Sequence, residues 1–371
     1  MLYFNHAGLS PAGPEVLHAM NAAADTFGTM LYSESGIAWY RKQVKDCGNR
    51  IAELLHIDLN QDRHRLLLCP NATSSLRIIL SLIGLQPGDV VITSDQEHLS
   101  TLQALSGLTQ RGIAAHVVRA ATEEHFLSRF EDACHVQQAA LVLLSHVTHS
   151  DGRIFPVEQI CEIARKRAIP VAIDGAQAVG HIPVHIGKLP ADFYYFSGHK
   201  WCAGPMGSGA LLIAEHFNNS RSNRRANSLK ENDPDVSCLD LGTQNVGLIA
   251  GLGTACSLRQ QTWPAMGRLA ELHRLCSESL RRVRDVEIVG WDGAHAPGIV
   301  SFRVQRPDFD PTGIASYLSR RYEIVLKPVQ YHDLQPLLRV SWSFATGNQD
   351  IVFLAEKLEE ALERFTCPSS G

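Results

Sequence analysis

The 371-residue chain lacks several features at once, and each absence narrows what it can be. No apolar run approaches the roughly 18–20 residues that a membrane-spanning helix needs. There is no excess of basic charge: 34 Lys and Arg against 38 Asp and Glu leave a formal net charge of −4. That balance gives no electrostatic reason to expect nucleic acid or an anionic membrane as a partner. The one basic cluster, Arg221 to Arg225 with Lys230, sits among Asn and Ser and reads as a solvated loop. The nine cysteines stand singly, with no CxxC pair and an odd total. Reduced thiols in a cytoplasmic protein are therefore expected, not a disulfide framework. The stretch MLYFNHAGLSPAG offers neither a basic leader nor an apolar core long enough for a signal peptide.

What is present is the composition of a globular enzyme, 45% apolar and 19% charged. The length exceeds what one hydrophobic core fills, so a large domain with a smaller companion is expected. Short apolar runs at 65–69, 89–93, 114–118, 139–145, 169–174, 192–197 and 209–214 read as strands. Helical patterns at 73–84, 98–111, 123–134 and 156–168 separate most of them. Such alternation predicts an α/β fold with a mainly parallel seven-stranded sheet covered on both faces, with ligands beyond the strands' carboxyl ends. From about 245 the pattern changes to helical stretches at 245–262 and 265–284, short strands near 286–289, 298–304, 323–327 and 337–342, and a helix over 348–365. This predicts a smaller α+β domain over 256–371, a large domain over 16–255, and residues 1–15 packed on the small domain or the cleft.

Two strand ends carry candidate chemistry. VAIDGAQAVGH (171–181) closes a buried run with Asp174, with Gln177 three residues on. A carboxylate there needs a cationic or protonated partner, unless it simply caps the following turn. FSGHKW (196–201) places Ser197, His199 and Lys200 at the next strand end. Lys200 either snorkels to solvent or has a depressed pKa that suits imine formation. Together, an Asp to hold a pyridinium proton and a Lys to join an aldehyde are the two groups that pyridoxal 5′-phosphate (PLP) requires of a protein.

The segment AIDGAQAVGHIPVHIGKLPADFYYFSGHKWCAGPMGSGAL (172–211) resembles the cofactor-lysine region of class V aminotransferase-fold PLP enzymes. These include cysteine desulfurases, cysteine and cystine C–S lyases, selenocysteine lyases, kynureninases and isopenicillin N epimerase-like proteins, all of PLP-dependent transferase fold type I. The resemblance implies that Lys200 binds the cofactor covalently, Asp174 pairs with the ring nitrogen and Gln177 meets the phenolate oxygen. It also implies that Ser197 and His199 bind the phosphate. In CPNATSSL (69–76), Ala72, Thr73 and Ser74 fall at a strand-to-helix turn that favours phosphate, although the residues alone also read as plain N-caps. By the same resemblance, His98 of SDQEHLST stacks on the ring. Thr243 of LGTQNVGLIAGLGTA reaches the phosphate of a neighbouring subunit, which implies a homodimer. Arg339 of LLRVSWSFATGNQD holds the substrate α-carboxylate. A strand-end surface arginine is what that segment would suggest alone.

The sequence departs from this pattern in two places. EIVLKPVQYHDLQPLLRVS (323–341) contains no cysteine where desulfurases carry their persulfide-forming nucleophile, and none occurs between Cys276 and Cys367. His149 stands where many members have asparagine, so it is expected to tune the cofactor or meet substrate. His146 and His149 form an HxxH pair with no third ligand in view, so no metal is expected. Lys327, Tyr331 and His332 lie in the region that shapes substrate choice, and Asn5 and His6 are candidates to line the cleft. The expectation is β-elimination with C–S cleavage of cysteine, cystine or a cysteine S-conjugate or sulfoxide, with Lys200, Asp174 and His98 as the catalytic set. A class V transaminase or epimerase, or a PLP-binding carrier without turnover, are the other readings.

Overall fold

The chain begins with a two-residue strand, β1 (Leu2–Tyr3), and two long helices, α1 (Pro14–Met30) and α2 (Glu34–Leu54). Alternation then follows in the computed structural model, which describes residues 1–59, 64–119, 122–215, 217, 242–262, 266–290, 293–306, 309–329 and 336–364. The order is β2 (His64–Cys69), α3 (Ala72–Ile83), β3 (Val90–Ser94), α4 (Leu99–Thr109), β4 (Ala114–Val118), α5 (Glu123–Ala133), β5 (Ala139–Ser145), α6 (Val157–Arg165), β6 (Val171–Asp174), β7 (Phe193–Ser197) and β8 (Gly209–Ala214). These seven strands form one sheet in the order β2-β8-β7-β6-β5-β3-β4. Only β8 runs against the rest, pairing antiparallel with both β2 and β7. The large sheet is therefore mainly parallel, as its apolar runs predict.

The central strands β5 to β8 are buried almost throughout because both faces are covered, whereas the edge strand β4 is exposed over its first four residues. Along β7, Tyr194 and Phe196 enter one core with Leu66, Val142 and Ile173, while Phe193 and Tyr195 enter the other with Leu67, Leu141 and Ala172. Alternate side chains point to opposite faces, so each face needs its own helical cover. Burying one such side chain stabilises the fold by about 1.5–3 kcal/mol.

The smaller domain follows α7 (Val246–Gln261) and contains α8 (Met266–Arg282), β9 (Val286–Val289), β10 (Ile299–Val304), α9 (Pro311–Tyr322), β11 (Ile324–Val325), β12 (Lys327–Val329), β13 (Leu337–Ser341) and α10 (Asn348–Arg364). Its antiparallel sheet runs β12-β13-β10-β9. The division expected at 255 falls inside α7, whose Ile249, Leu252 and Cys256 all belong to a core of the large sheet. The change of core comes after Gln261. The single strand expected over 323–327 is two, because Ile324–Val325 pairs with β1 and Lys327–Val329 pairs with β13. Phe4 lies in the core around β10 and β13, and Asn5 bridges to Ser341. Among the described residues, no helix is long and apolar enough to cross a membrane. The basic cluster at 221–230 lies outside the described residues.

Candidate active site

Strands β2, β3, β5, β6 and β7 run parallel and end on one edge of the large sheet, at Cys69, Ser94, Ser145, Asp174 and Ser197. The turns that follow them wall a cavity of about 750 Å³. Asn71 to Thr73, Asp95 to Ser100, His149, Asp174, Gln177, Ser197, His199 and Lys200 all line it, and the small domain adds Lys327 to Val329 and Arg339. Two glycines let these turns close up. A Cβ on Gly175 would strike the Tyr194 ring, and one on Gly198 would strike Leu252 Cδ1 and Ser208 Oγ.

Lys200 and Asp174 act on each other across this cavity. Burial pushes the Lys200 ammonium down to about 8; the Arg339 charge adds to that and the Asp174 carboxylate opposes it. Burial raises the Asp174 carboxyl, while Lys200 and the amide of Ala176, which donates to Oδ1 at 2.8 Å, favour its ionised form. A buried carboxylate on the cavity wall suits a protonated ring nitrogen, and an amine that loses its proton near pH 8 suits an aldehyde.

His98 caps α4, its Nδ1 accepting from the amide of Ser100 at 3.2 Å. Burial, then the charges of Lys200 and Arg339, push its imidazole down to about 4, so it is neutral at ordinary pH. Its ring meets His149 edge to face with centroids 4.9 Å apart. Arg339 is buried on β13, donating from Nη1 to the His149 carbonyl at 2.6 Å and from Nη2 to Asn5 Oδ1 at 3.0 Å. Its Nε has no partner, and burial pulls the guanidinium down to about 10. A buried guanidinium held only by neutral oxygens is poised for an anion.

At the other end, the Ala72 amide donates to Ser197 Oγ at 2.9 Å, joining the α3 N-terminus to the end of β7. Asn71 Oδ1 caps Ser74 at 2.9 Å, and Thr73 lines the cavity. Nδ1 of His199 is buried with no partner. A helix N-terminus beside a serine hydroxyl and an unsatisfied imidazole suits a phosphate group. The residues present thus fit PLP at both ends: phosphate at Ala72, Thr73, Ser197 and His199, ring and aldehyde at Asp174, Gln177, His98 and Lys200.

The structure does not bring every expected residue to this wall. Ser74 turns its amide to Asn71 and stands off the cavity, as does Asn5, which acts through Arg339. His6, expected to line the cleft, is directed elsewhere: Nδ1 meets Ser10 Oγ at 3.0 Å and the ring packs edge-on against Tyr3. Thr243 borders a separate cavity, where its hydroxyl accepts from Tyr32 at 3.0 Å. Tyr331 and His332 lie outside the described residues. His146 bonds Tyr194 Oη through Nδ1 at 2.8 Å, and the described residues contain no cluster of three metal-ligating side chains.

Glu97, unremarked in the sequence, is a buried carboxyl on the wall. It accepts from Ser94 Oγ at 2.6 Å, Ser145 Oγ at 2.7 Å and the Ser145 amide at 3.2 Å. Burial pushes its pKa up to about 7 against those hydrogen bonds, and the Asp174 charge adds to the rise. The signal was the one that marked Asp174, a carboxyl following an apolar strand.

Residues 2–351 match the family described as Aminotransferase class-V. The chain is 27% identical to isopenicillin N epimerase of Amycolatopsis lactamdurans over 332 residues, covering 80% of each chain. It is 25% identical to cysteine desulfurase IscS of Serratia proteamaculans over 305 residues, 80% of this chain and 72% of the relative. Among solved structures, the apo cysteine desulfurase of Thermococcus onnurineus NA1 superposes with a TM-score of 0.82 at 22% identity, covering 98% and 95% of the two chains. The cystine C–S lyase C-DES, in complex with its product cysteine persulfide, does so with a TM-score of 0.81 at 21% identity, covering 96% and 97%. At such identities these two likenesses speak for the fold.

Proposed function

Because the chain belongs to the class V aminotransferase family and takes pyridoxal 5′-phosphate as its cofactor, we propose that it is a carbon–sulfur lyase acting by β-elimination. Cysteine, cystine or a cysteine S-conjugate or sulfoxide is the substrate; the sulfur leaves as sulfide, persulfide, thiol or sulfenic acid, and the aminoacrylate left behind takes up water to give pyruvate and ammonia. The observation that carries this reading is a cavity wall with Lys200, Asp174 and Arg339 but no cysteine among the described residues. The sequence between 323 and 341 supplies none either. Cys202 is buried off the wall, with its Sγ on the Val179 carbonyl at 3.6 Å, unsuited to taking sulfur from a substrate.

When bound, the cofactor supplies an aldehyde for the substrate amine and a ring that withdraws electrons from Cα. The protein's own residues do the rest. Arg339 holds the α-carboxylate, its fork steadied by Asn5 and the His149 carbonyl. Lys200, with its proton affinity lowered by burial, takes the Cα proton at Nζ as the Cβ–S bond breaks. Asp174 keeps a proton on the ring nitrogen, and neutral His98 covers the ring without adding charge. His149 shapes the wall beside it.

Thr243 is exposed and off this wall, which supports its serving the site of a second copy in a homodimer. The seven described cysteines, buried and unbridged, suit the reducing cytoplasm. A transaminase or epimerase is the second reading, favoured by the isopenicillin N epimerase relative matching over 80% of both chains. Incubation with cysteine, cystine, S-conjugates and plain amino acids decides between them. Pyruvate released in step with thiol or persulfide supports the lyase; amino transfer to a keto acid, or a racemised amino acid without pyruvate, overturns it.

A further inference from the structure

Lys327 on β12 stands directly opposite Arg339 on β13, and both line the cavity. Residues so paired share a face of the sheet with Cβ atoms about 4.5–5.5 Å apart, and like charges there repel. Among the described residues, no carboxylate forms an ion pair with either cation. Arg339 donates only to a backbone carbonyl and a carboxamide, and its Nε is unsatisfied. Lys327 enters no described ion pair or hydrogen bond. The acids on the wall are engaged elsewhere: Asp174 with Lys200, Glu97 with Ser94 and Ser145, and Asp95 facing Arg119 at 4.0 Å. The two cations also differ in depth, Arg339 being buried and Lys327 exposed at the mouth.

We propose that Lys327 selects substrates bearing a second acidic group, binding it at the cavity mouth while Arg339 holds the α-carboxylate inside. The substrate class is then a cysteine S-conjugate whose sulfur substituent ends in a carboxylate or sulfonate, so that the leaving group is an acidic thiol. This rests on the reading of Arg339 and the β-substituted amino acid given above. A dianionic ligand bridges the two opposed cations, one buried and one exposed, and meets both charges at once.

Stopped-flow titration of the holoenzyme tests this by following the early change in the visible cofactor band. S-Carboxymethylcysteine and S-carbamoylmethylcysteine match in size and differ in charge. The acid should bind about tenfold more tightly than the amide, in the range of a charge-assisted contact. Lys327→Gln should bring the two within about twofold by weakening the acid alone, and Lys327→Glu should invert the preference. Equal affinities in the wild-type protein, or a Lys327→Gln variant that weakens both ligands alike or neither, would overturn the proposal. Alanine and cysteine serve as controls. If they leave the band unchanged, the amino-acid reading itself fails; if they shift it and the acid shows no advantage, only the role of Lys327 does.

Discussion

The indole Nε1 of Trp201 donates to Gln177 Oε1 at 2.6 Å, and this one bond sets which way the carboxamide faces. An indole only donates, so Oε1 must lie toward it. Nε2 then donates to the Ala7 carbonyl at 2.9 Å and keeps a second N–H. His181 stacks on Trp201 at 3.5 Å, with Nδ1 on the Gln177 carbonyl at 2.9 Å. Its Nε2 accepts from the Gly298 amide at 2.8 Å, so the proton sits on Nδ1. The small domain is thereby linked to the wall beside Lys200.

Trp201→Phe should release that carboxamide while keeping an aromatic ring against His181. The remaining N–H of Gln177 would no longer be held toward the cofactor oxygen, so the midpoint of the visible band in a pH titration should rise by about one unit or less. An unchanged midpoint in a variant that keeps its cofactor would show that the indole does not orient Gln177.

On the reading proposed for Lys200, its amine must be neutral to join the cofactor's aldehyde. Its pKa in the protein alone is pulled down to about 8 from 10.5. The rate at which apoprotein takes up PLP should therefore rise with pH and level off above about 8. Lys200→Ala should form no covalent link at any pH. A rate still climbing near pH 10 would contradict the burial-lowered amine.

Glu97 makes stability depend on pH in the direction opposite to a salt-bridged acid. Its folded pKa is raised from 4.5 to about 7, so its contribution is fully present below the lower value and is lost as pH rises through the higher. Each unit of such a shift corresponds to about 1.4 kcal/mol. Melting of the apoprotein should weaken from about pH 5 to pH 8, and Glu97→Gln should weaken less over that range. Parallel pH profiles for the two proteins would remove Glu97 as the source.

Gly198→Ala should destabilise by about 1–3 kcal/mol, because the added methyl meets Leu252 Cδ1 and Ser208 Oγ. Thermal melting checks this, and Gly198→Ala should cost less when added to a Leu252→Ala protein, itself destabilised by its cavity, than when added to the wild type. An undiminished melting temperature in the single variant would mean that the turn before Lys200 has room to spare.

The sheet was legible because both faces of its central strands are buried, which leaves runs such as AALVLLS and FYYFS almost without polar interruption. Helix α1 gave no comparable signal, since only Val16 and Ala23 are buried and the apolar stripe is too narrow to read. Asp174 and Lys200 showed themselves as polar groups at the ends of apolar strands. Lys327 facing Arg339 could not be read the same way. That relation depends on antiparallel register between separate strands, and spacing along the chain does not encode register. His6 was misplaced for a related reason: its neighbours Asn5 and Ala7 serve the site through Arg339 and Gln177, while its own ring turns to Ser10.

The amino-terminal segment has a consequence for the order of assembly. Phe4 is buried in the core built around β10 and β13, Asn5 bridges Ser341 and holds Arg339, and Ala7 holds Gln177. Residues 4–7 thus find their seats only once residues 337–341 are available to pair with them. The large sheet can form without that pairing, but the surroundings of Arg339 join residues 334 positions apart and are completed only when both segments are present.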